Sequence, residues 1–453
     1  MRYGVASGAP HVEGSAGRGL SVWDAFAAAP GRIADGTGPD PTLGIGQGAE
    51  DLDLLADLGV DAYRFSVSWP RVQPGGSGPA DAVALDGYDA LADGLLERGI
   101  RPWVALYRWD LPLELMRDGG WLLRDTAERF GEYAALVADR LGDRADAWVT
   151  LDDPFSHMAL GHAVGVDAPA LTLLGGAFQV THHLLLGHAR AVAALRAAGA
   201  TTVGLVNNHT TVRPASSSGA DRWAAAFYDT YHNRQFADPV LLGRYPDRLA
   251  GMPGVPDDLI ADGDLPAIAA PLDLYGVTYE HPVVVAAAPE NRSVPLSLVP
   301  MDGVPRSAMD LPIHPPALER ALLDLRDRYP RLPPVFVSAT GGAFDDTDAD
   351  ADADADVHAD TDKDPNKDTD TDVHAGESGR VDFLDGHLAA VRRAAAAGVP
   401  VGGYFHWSLV DGWEGAAGRS ARTGLVRVDP GSPERRPRAS FDLYRSLIAG
   451  AGR

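Results

Sequence analysis

The sequence predicts an α/β fold, a single (β/α)8 TIM barrel occupying residues 1–453 as one domain. Short β-branched and aromatic runs alternate with longer Ala-, Leu- and Arg-rich stretches along the chain, the pattern of parallel strands joined by crossover helices. Eight such runs occur, enough to close a sheet on itself. A length of 453 residues would admit two or three domains, but barrels of this kind often run long as one unit. An apolar content of 45% is ordinary for a globular protein with a large core.

The predicted strands are residues 3–6, 62–66, 103–107, 147–150, 203–207, 274–279, 335–338 and 402–406. Between them the helical pattern is strongest at 50–58, 126–141 and 383–397, the first two amphipathic and the last Ala-rich. Gly59, Gly142 and Gly398 stand where C-terminal caps belong.

The formal net charge is -24. Roughly half of that excess lies in one Asp-rich segment, which makes nucleic acid and anionic membrane surfaces poor partners. That segment, residues 345–378, alternates Asp with Ala, cannot bury a face and repels itself, so a disordered surface loop between strand seven and the last helix is expected. Asp362, Asp364, Asn366 and Asp368 have the alternate spacing of a calcium loop. Lys367 stands where such a loop needs Gly, however, and Val373 where it needs Glu, so a solvated acidic loop is the better reading. There is no cysteine, hence no disulfide, thiolate nucleophile or Cys-bound zinc. The first residues carry no signal-like apolar run, and no stretch of about 18 apolar residues suggests a membrane span. A cytoplasmic location is expected.

In a barrel of this type chemistry gathers at the C-terminal ends of the strands. The strings found there are GVASGAPHVEGSAGRGLSVWDAF, AYRFSVSWPRV, LYRWDLP, WVTLDDPF, VFVSATGGAFDD and YFHWSLVDGWEGAAGRSARTGLVRVD, with NRQFADPVLLGRYP between strands five and six. Their order and spacing resemble the family 1 glycoside hydrolases over essentially the whole chain outside the acidic loop. The resemblance implies a sugar-binding pocket at the barrel mouth and two carboxylates flanking a glycosidic bond, held roughly 5 Å apart in a retaining enzyme.

This chain departs from that pattern at the carboxylates. The family's strand-four motif is Thr-Leu-Asn-Glu-Pro, with Glu the acid/base. Here it is Thr150-Leu151-Asp152-Asp153-Pro154, so Asp153, one methylene shorter, takes the acid position. Asp152 replaces an asparagine that holds the sugar 2-hydroxyl and adds a neighbouring charge, which favours a raised pKa in one of the pair. The strand-seven motif Thr-Glu-Asn-Gly, whose Glu is the nucleophile, reads Ser338-Ala339-Thr340-Gly341, and Gly341, Ala343, Phe344 and Asp345 fix the register. Ala339 therefore marks a lost nucleophile position, and a covalent intermediate has nothing to form on.

Sugar-holding positions are partly rewritten. His11 stands for a glutamine, Arg108 for a histidine beside Trp109, and Gly415 for a tryptophan. Arg64, which in the family steers the nucleophile, is kept, as are Glu13, Gly14, Asn208, Trp407 and Glu414; the last two would stack on and hydrogen-bond a pyranose. Thr278-Tyr279-Glu280 replaces Asn-Tyr-Tyr, whose last tyrosine bonds the nucleophile, so Glu280 brings a carboxylate next to the place where one vanished. Two readings of Glu280 stand open. It is a relocated catalytic carboxylate paired with Asp153, or it neutralises an Arg64 left unpaired, since a buried lone arginine is costly. His182, His183 and His188 lie in a helical stretch and read as structural, and no metal or cofactor is expected. Trp23, Trp69, Trp109 and Trp148 read as core or rim packing.

Three functions follow from the resemblance. The chain binds a glycoside or polyhydroxylated small molecule in a rebuilt pocket, with non-hydrolytic acid–base chemistry by Asp153 and Glu280; or it is a pseudoenzyme that only binds a ligand or partner; or it is a residual or inverting O-glycosyl hydrolase using the same two carboxylates.

Overall fold

The computed structural model describes the chain except residues 41–44, 46–47, 250–255, 257, 292–293, 346–375, 430, 433 and 452–453. The eight expected strands form: β1 (Arg2–Ala6), β2 (Ala62–Ser66), β3 (Arg101–Ala105), β4 (Ala147–Asp152), β5 (Val203–Asn208), β6 (Leu274–Thr278), β7 (Val335–Thr340) and β8 (Val401–Trp407). They close in sequence order, β8 pairing back onto β1. Every pairing is parallel. The helices pack outside, as a right-handed crossover between parallel strands requires. A small three-stranded sheet, Val212–Pro214, Val283–Ala287 and Leu296–Val299, is attached beside the barrel.

The barrel interior is a packed core. Trp103 lies with its ring centroid 4.8 Å from both Phe336 and Phe405. These rings fit because neighbouring strands carry glycine: a Cβ on Gly4 would stand 2.4 Å from the Phe405 ring. Outside the strands, residues such as Leu55, Leu95, Phe130, Leu184, Leu322 and Leu388 form the apolar layer between barrel and helices. That layer explains the amphipathic helices read from sequence, since burial of one face is what fixes them.

Strand β3 begins and ends two residues earlier than its composition suggests. The chain leaves the wall before Trp109, which adopts φ 73, and the apolar run continues into a mouth loop. The last long helix, Glu377–Ala396, begins well before the expected residue 383, so Glu377 and Ser378 belong to a helix and not to the acidic loop. Its start is held by Glu377, which accepts from Arg380 Nε at 3.1 Å and from Ser440 N at 2.8 Å. An acidic residue in the first turn also suits the helix dipole. Gly59 (φ 76) and Gly398 (φ 95) end their helices in the left-handed region, whereas Gly142 follows Leu141 in right-handed conformation. The proposed calcium-like spacing and most of the Asp-rich segment lie outside the described residues. Among the described residues no helix is long and apolar enough to cross a membrane.

Candidate functional site

The loops at the C-terminal ends of the strands enclose a cavity of about 350 Å³. His11, Arg108, Trp109, Thr278, Glu280, Ala339, Trp407 and Glu414 line it. Arg64, Asp152, Asp153 and Asn208 are buried beneath or beside it and are not part of its wall. A second, more open depression of about 440 Å³, lined by Met1, Tyr3 and Arg392 among others, lies at the opposite end of the barrel and holds none of these groups.

The floor is an ion cluster. Arg64 on β2 is fully buried, and its Nη1 lies 2.6 Å from Oδ1 of Asp152 at the end of β4. Arg108 Nη1 lies 3.4 Å from the other oxygen of the same carboxylate. Burial lowers the Arg64 pKa, and Asp152 opposes that effect. The expectation that Glu280 neutralises Arg64 is therefore corrected. Asp152 supplies the counter-charge, because the end of β4 brings its carboxylate against β2, while Glu280 projects into the cavity. Trp109 fixes this corner by donating its Nε1–H to the Asp152 carbonyl at 2.8 Å.

Asp153 turns away from the cavity. It adopts φ 54 and caps the short helix Pro154–Ser156. Its oxygens accept from Ser156 N at 3.0 Å, Ser156 Oγ at 2.8 Å and Asn208 Nδ2 at 3.1 Å. A side chain one methylene shorter than Glu reaches its own helix terminus readily, which is the ordinary N-cap preference of Asp. Burial raises its pKa, against the lowering effects of Arg108 and these hydrogen bonds. Ser156 does line the cavity, so the Asp153 carboxyl connects to it through that hydroxyl. Asn208 is anchored in turn, its Oδ1 accepting from His232 Nε2 at 3.0 Å when that nitrogen carries the proton.

Glu280 behaves differently. It is solvent-accessible within the cavity yet surrounded by protein. Desolvation, reinforced by the charges of Asp153, Asp167 and Glu414 and opposed by Arg108, pushes its pKa up to about 7. Tyr279, beside it, is buried outward with its hydroxyl 3.4 Å from the His314 carbonyl. Ala339 presents only a methyl group where β7 meets the cavity.

On the β8 side Glu414 is already engaged. Its Oε1 accepts from Trp407 Nε1 at 3.0 Å and Thr423 Oγ1 at 2.8 Å, and Oε2 lies 3.3 Å from His11 Nε2. Burial would raise its pKa, but His11 and these donors hold it down at about 2. The Trp407 ring is occupied too: the Arg108 guanidinium sits 4.1 Å over it and His11 meets its edge at 4.8 Å. The expected stacking platform thus already carries a cation.

Sequence reasoning missed Asp167, which lines the cavity from the loop after β4, and Ser156. Asp167 stands well beyond the strand end in an unremarkable Gly-Val-Asp-Ala-Pro run, where no pattern marks it. Trp23, read as packing, also reaches the cavity wall, whereas Trp69 and Trp148 are core. Glu13 is buried against Arg71 and Tyr88. His188 meets Thr150 Oγ1 at 2.6 Å and His183 the Trp121 carbonyl at 3.0 Å, so both are tied into the packing of the helix Phe178–Ala197.

The parallel barrel with its cavity at the C-terminal strand ends is the TIM-barrel class, and comparison with known families matches residues 1–453 to Glycosyl hydrolase family 1. The chain belongs to that family. It is 35% identical to a beta-glucosidase of Agrobacterium sp. across 99% of this chain and 94% of the relative. Among solved structures, the psychrophilic beta-glucosidase BglU from Micrococcus antarcticus superimposes with a TM-score of 0.88 at 35% identity, covering 99% of this chain and 97% of that one. The beta-glucosidase from Thermotoga maritima in complex with deoxynojirimycin superimposes with a TM-score of 0.86 at 32% identity, covering 100% and 98%.

Proposed function

We propose that this chain binds a glycoside or other polyhydroxylated small molecule in the barrel-mouth cavity and performs no retaining hydrolysis. The observation that carries this reading is the methyl group of Ala339 at the cavity wall, together with an Arg64 whose charge is answered by Asp152. A retaining mechanism needs a carboxylate able to bond the anomeric carbon, and a methyl group offers no electron pair. The similarity of the relatives supports a glycoside as the ligand class.

Glu280 is the group best suited to chemistry. A carboxyl titrating near neutrality exchanges protons readily at working pH, which suits a general base. Asp153, protonated more easily than an ordinary carboxyl, is the acid and acts by way of Ser156. The pair fits isomerisation, cyclisation or elimination on a bound polyol. A binding-only role is the second reading, favoured by the three hydrogen bonds that commit Asp153 to its own helix.

Calorimetry with a set of β-glucosides, run beside an aryl β-glucoside turnover assay, separates these. Binding without release of the aryl group is expected. Aryl release that disappears in Asp153→Asn would contradict the proposal and favour a hydrolase.

A further inference from the structure

The groups in this cavity that would recognise a neutral sugar are already engaged, and the groups left free are acidic. One face of Trp407 carries Arg108, and Glu414 is held by Trp407, Thr423 and His11. Arg64 and Arg108 are matched to Asp152, and His11 to Glu414. Glu280 and Asp167 also face the cavity, and neither forms an ion pair among the described residues. Asp167 has a backbone bond from Ala416 N at 3.3 Å. Leaving aside Asp153, the acid of the reading above, four carboxylates (Asp152, Asp167, Glu280 and Glu414) stand against two arginines and one histidine. His281, also in the wall, is kept neutral by burial and adds no charge.

A second observation points to a ligand at the same place. Thr278 is 4% exposed and lines the cavity two residues before Glu280, and its hydroxyl has no hydrogen-bond partner among the described residues. A buried hydroxyl without a partner is uncommon, and one aimed into a cavity is completed by whatever occupies it.

We propose that the ligand carries a protonated amine, as in an amino-sugar glycoside, with its ammonium held by Glu280 and Asp167 and a neighbouring polar group bonded to Thr278. This rests on the glycoside-pocket reading and specifies its substrate class. A charge-assisted bond in a partly enclosed cavity is stronger than its neutral counterpart, so charge becomes the discriminating feature. The mutual repulsion that raises Glu280 is relieved when a cation arrives.

The test compares methyl β-D-glucopyranoside with its 2-, 3- and 6-amino-deoxy analogues by calorimetry, at a pH where Glu280 is ionised. At least one amino analogue is expected to bind about tenfold or more tightly than the neutral parent. That advantage should shrink with added salt and vanish in Glu280→Gln, whose circular dichroism, matching that of the unaltered chain, shows that the variant is folded. If amino and neutral glucosides bind equally, the cation proposal is overturned and the glycoside pocket stands. If neither kind binds, both are overturned.

Discussion

At the end of β4 a single carboxylate, that of Asp152, faces two buried arginines. With a methyl at Ala339, the Arg64 guanidinium, 0% exposed, would be left without a counter-ion, yet the Asp152 carboxylate lies 2.6 Å from it. Removing one partner of a buried ion pair costs about 3–5 kcal/mol, because the other charge stays buried and uncompensated. Asp152→Asn is therefore expected to lower the unfolding free energy by an amount in that range, since Arg108 loses the same partner and its charge opposes that of Arg64. Placing the charge back on β7, as Ala339→Glu in the Asp152→Asn background, should recover part of the loss. No recovery would mean that residue 339 does not face Arg64. Glu280 sets a second expectation. Its folded pKa, about 7, lies above the ordinary 4.5, so the folded state holds this proton more tightly than the unfolded chain does. The corresponding stability is complete below about pH 4.5 and is lost as pH rises to about 7. Glu280→Gln should flatten that part of the melting-temperature profile, with little change in acid.

Elements explain which features could be read in the sequence and which could not. The eight strands were legible because buried parallel strands demand contiguous β-branched and aromatic runs, a local property. Their ends were less so. The run at Trp103 continues past the end of β3 because the mouth loop is itself buried, and the helix at Glu377 starts early where the Glu377 carboxylate is held by Arg380 and by the backbone of the distant Ser440. Site residues at strand ends were visible through motif position, but the partner of Arg64 depends on where two strand ends meet in space. Asp167 reaches the cavity from a loop carrying no pattern at all. The turn of Asp153 into its own helix is likewise a matter of side-chain length and φ. That cap makes a prediction at this level: Asp153→Ala should destabilise by about 1 kcal/mol or more through loss of the cap, whereas Asp153→Asn, which still accepts from Ser156 N but sets its amide nitrogen against Asn208 Nδ2, should lose less in thermal melting.

The whole molecule keeps the scaffold of its family, and the proposed function places the difference at its mouth. Strand order, packed interior and helix layer superimpose on β-glucosidases across nearly the full chain. The barrel tolerates such change because its stability resides in the interior and the outer apolar layer, whereas the mouth residues sit on loops. The most direct check on that account is intact-protein mass spectrometry after incubation with an activated 2-fluoro β-glucoside, which traps a retaining nucleophile as a stable ester. The mass of the wild-type chain should stay unchanged; a single added fluoro-sugar, located on any Asp or Glu of the cavity, would contradict it.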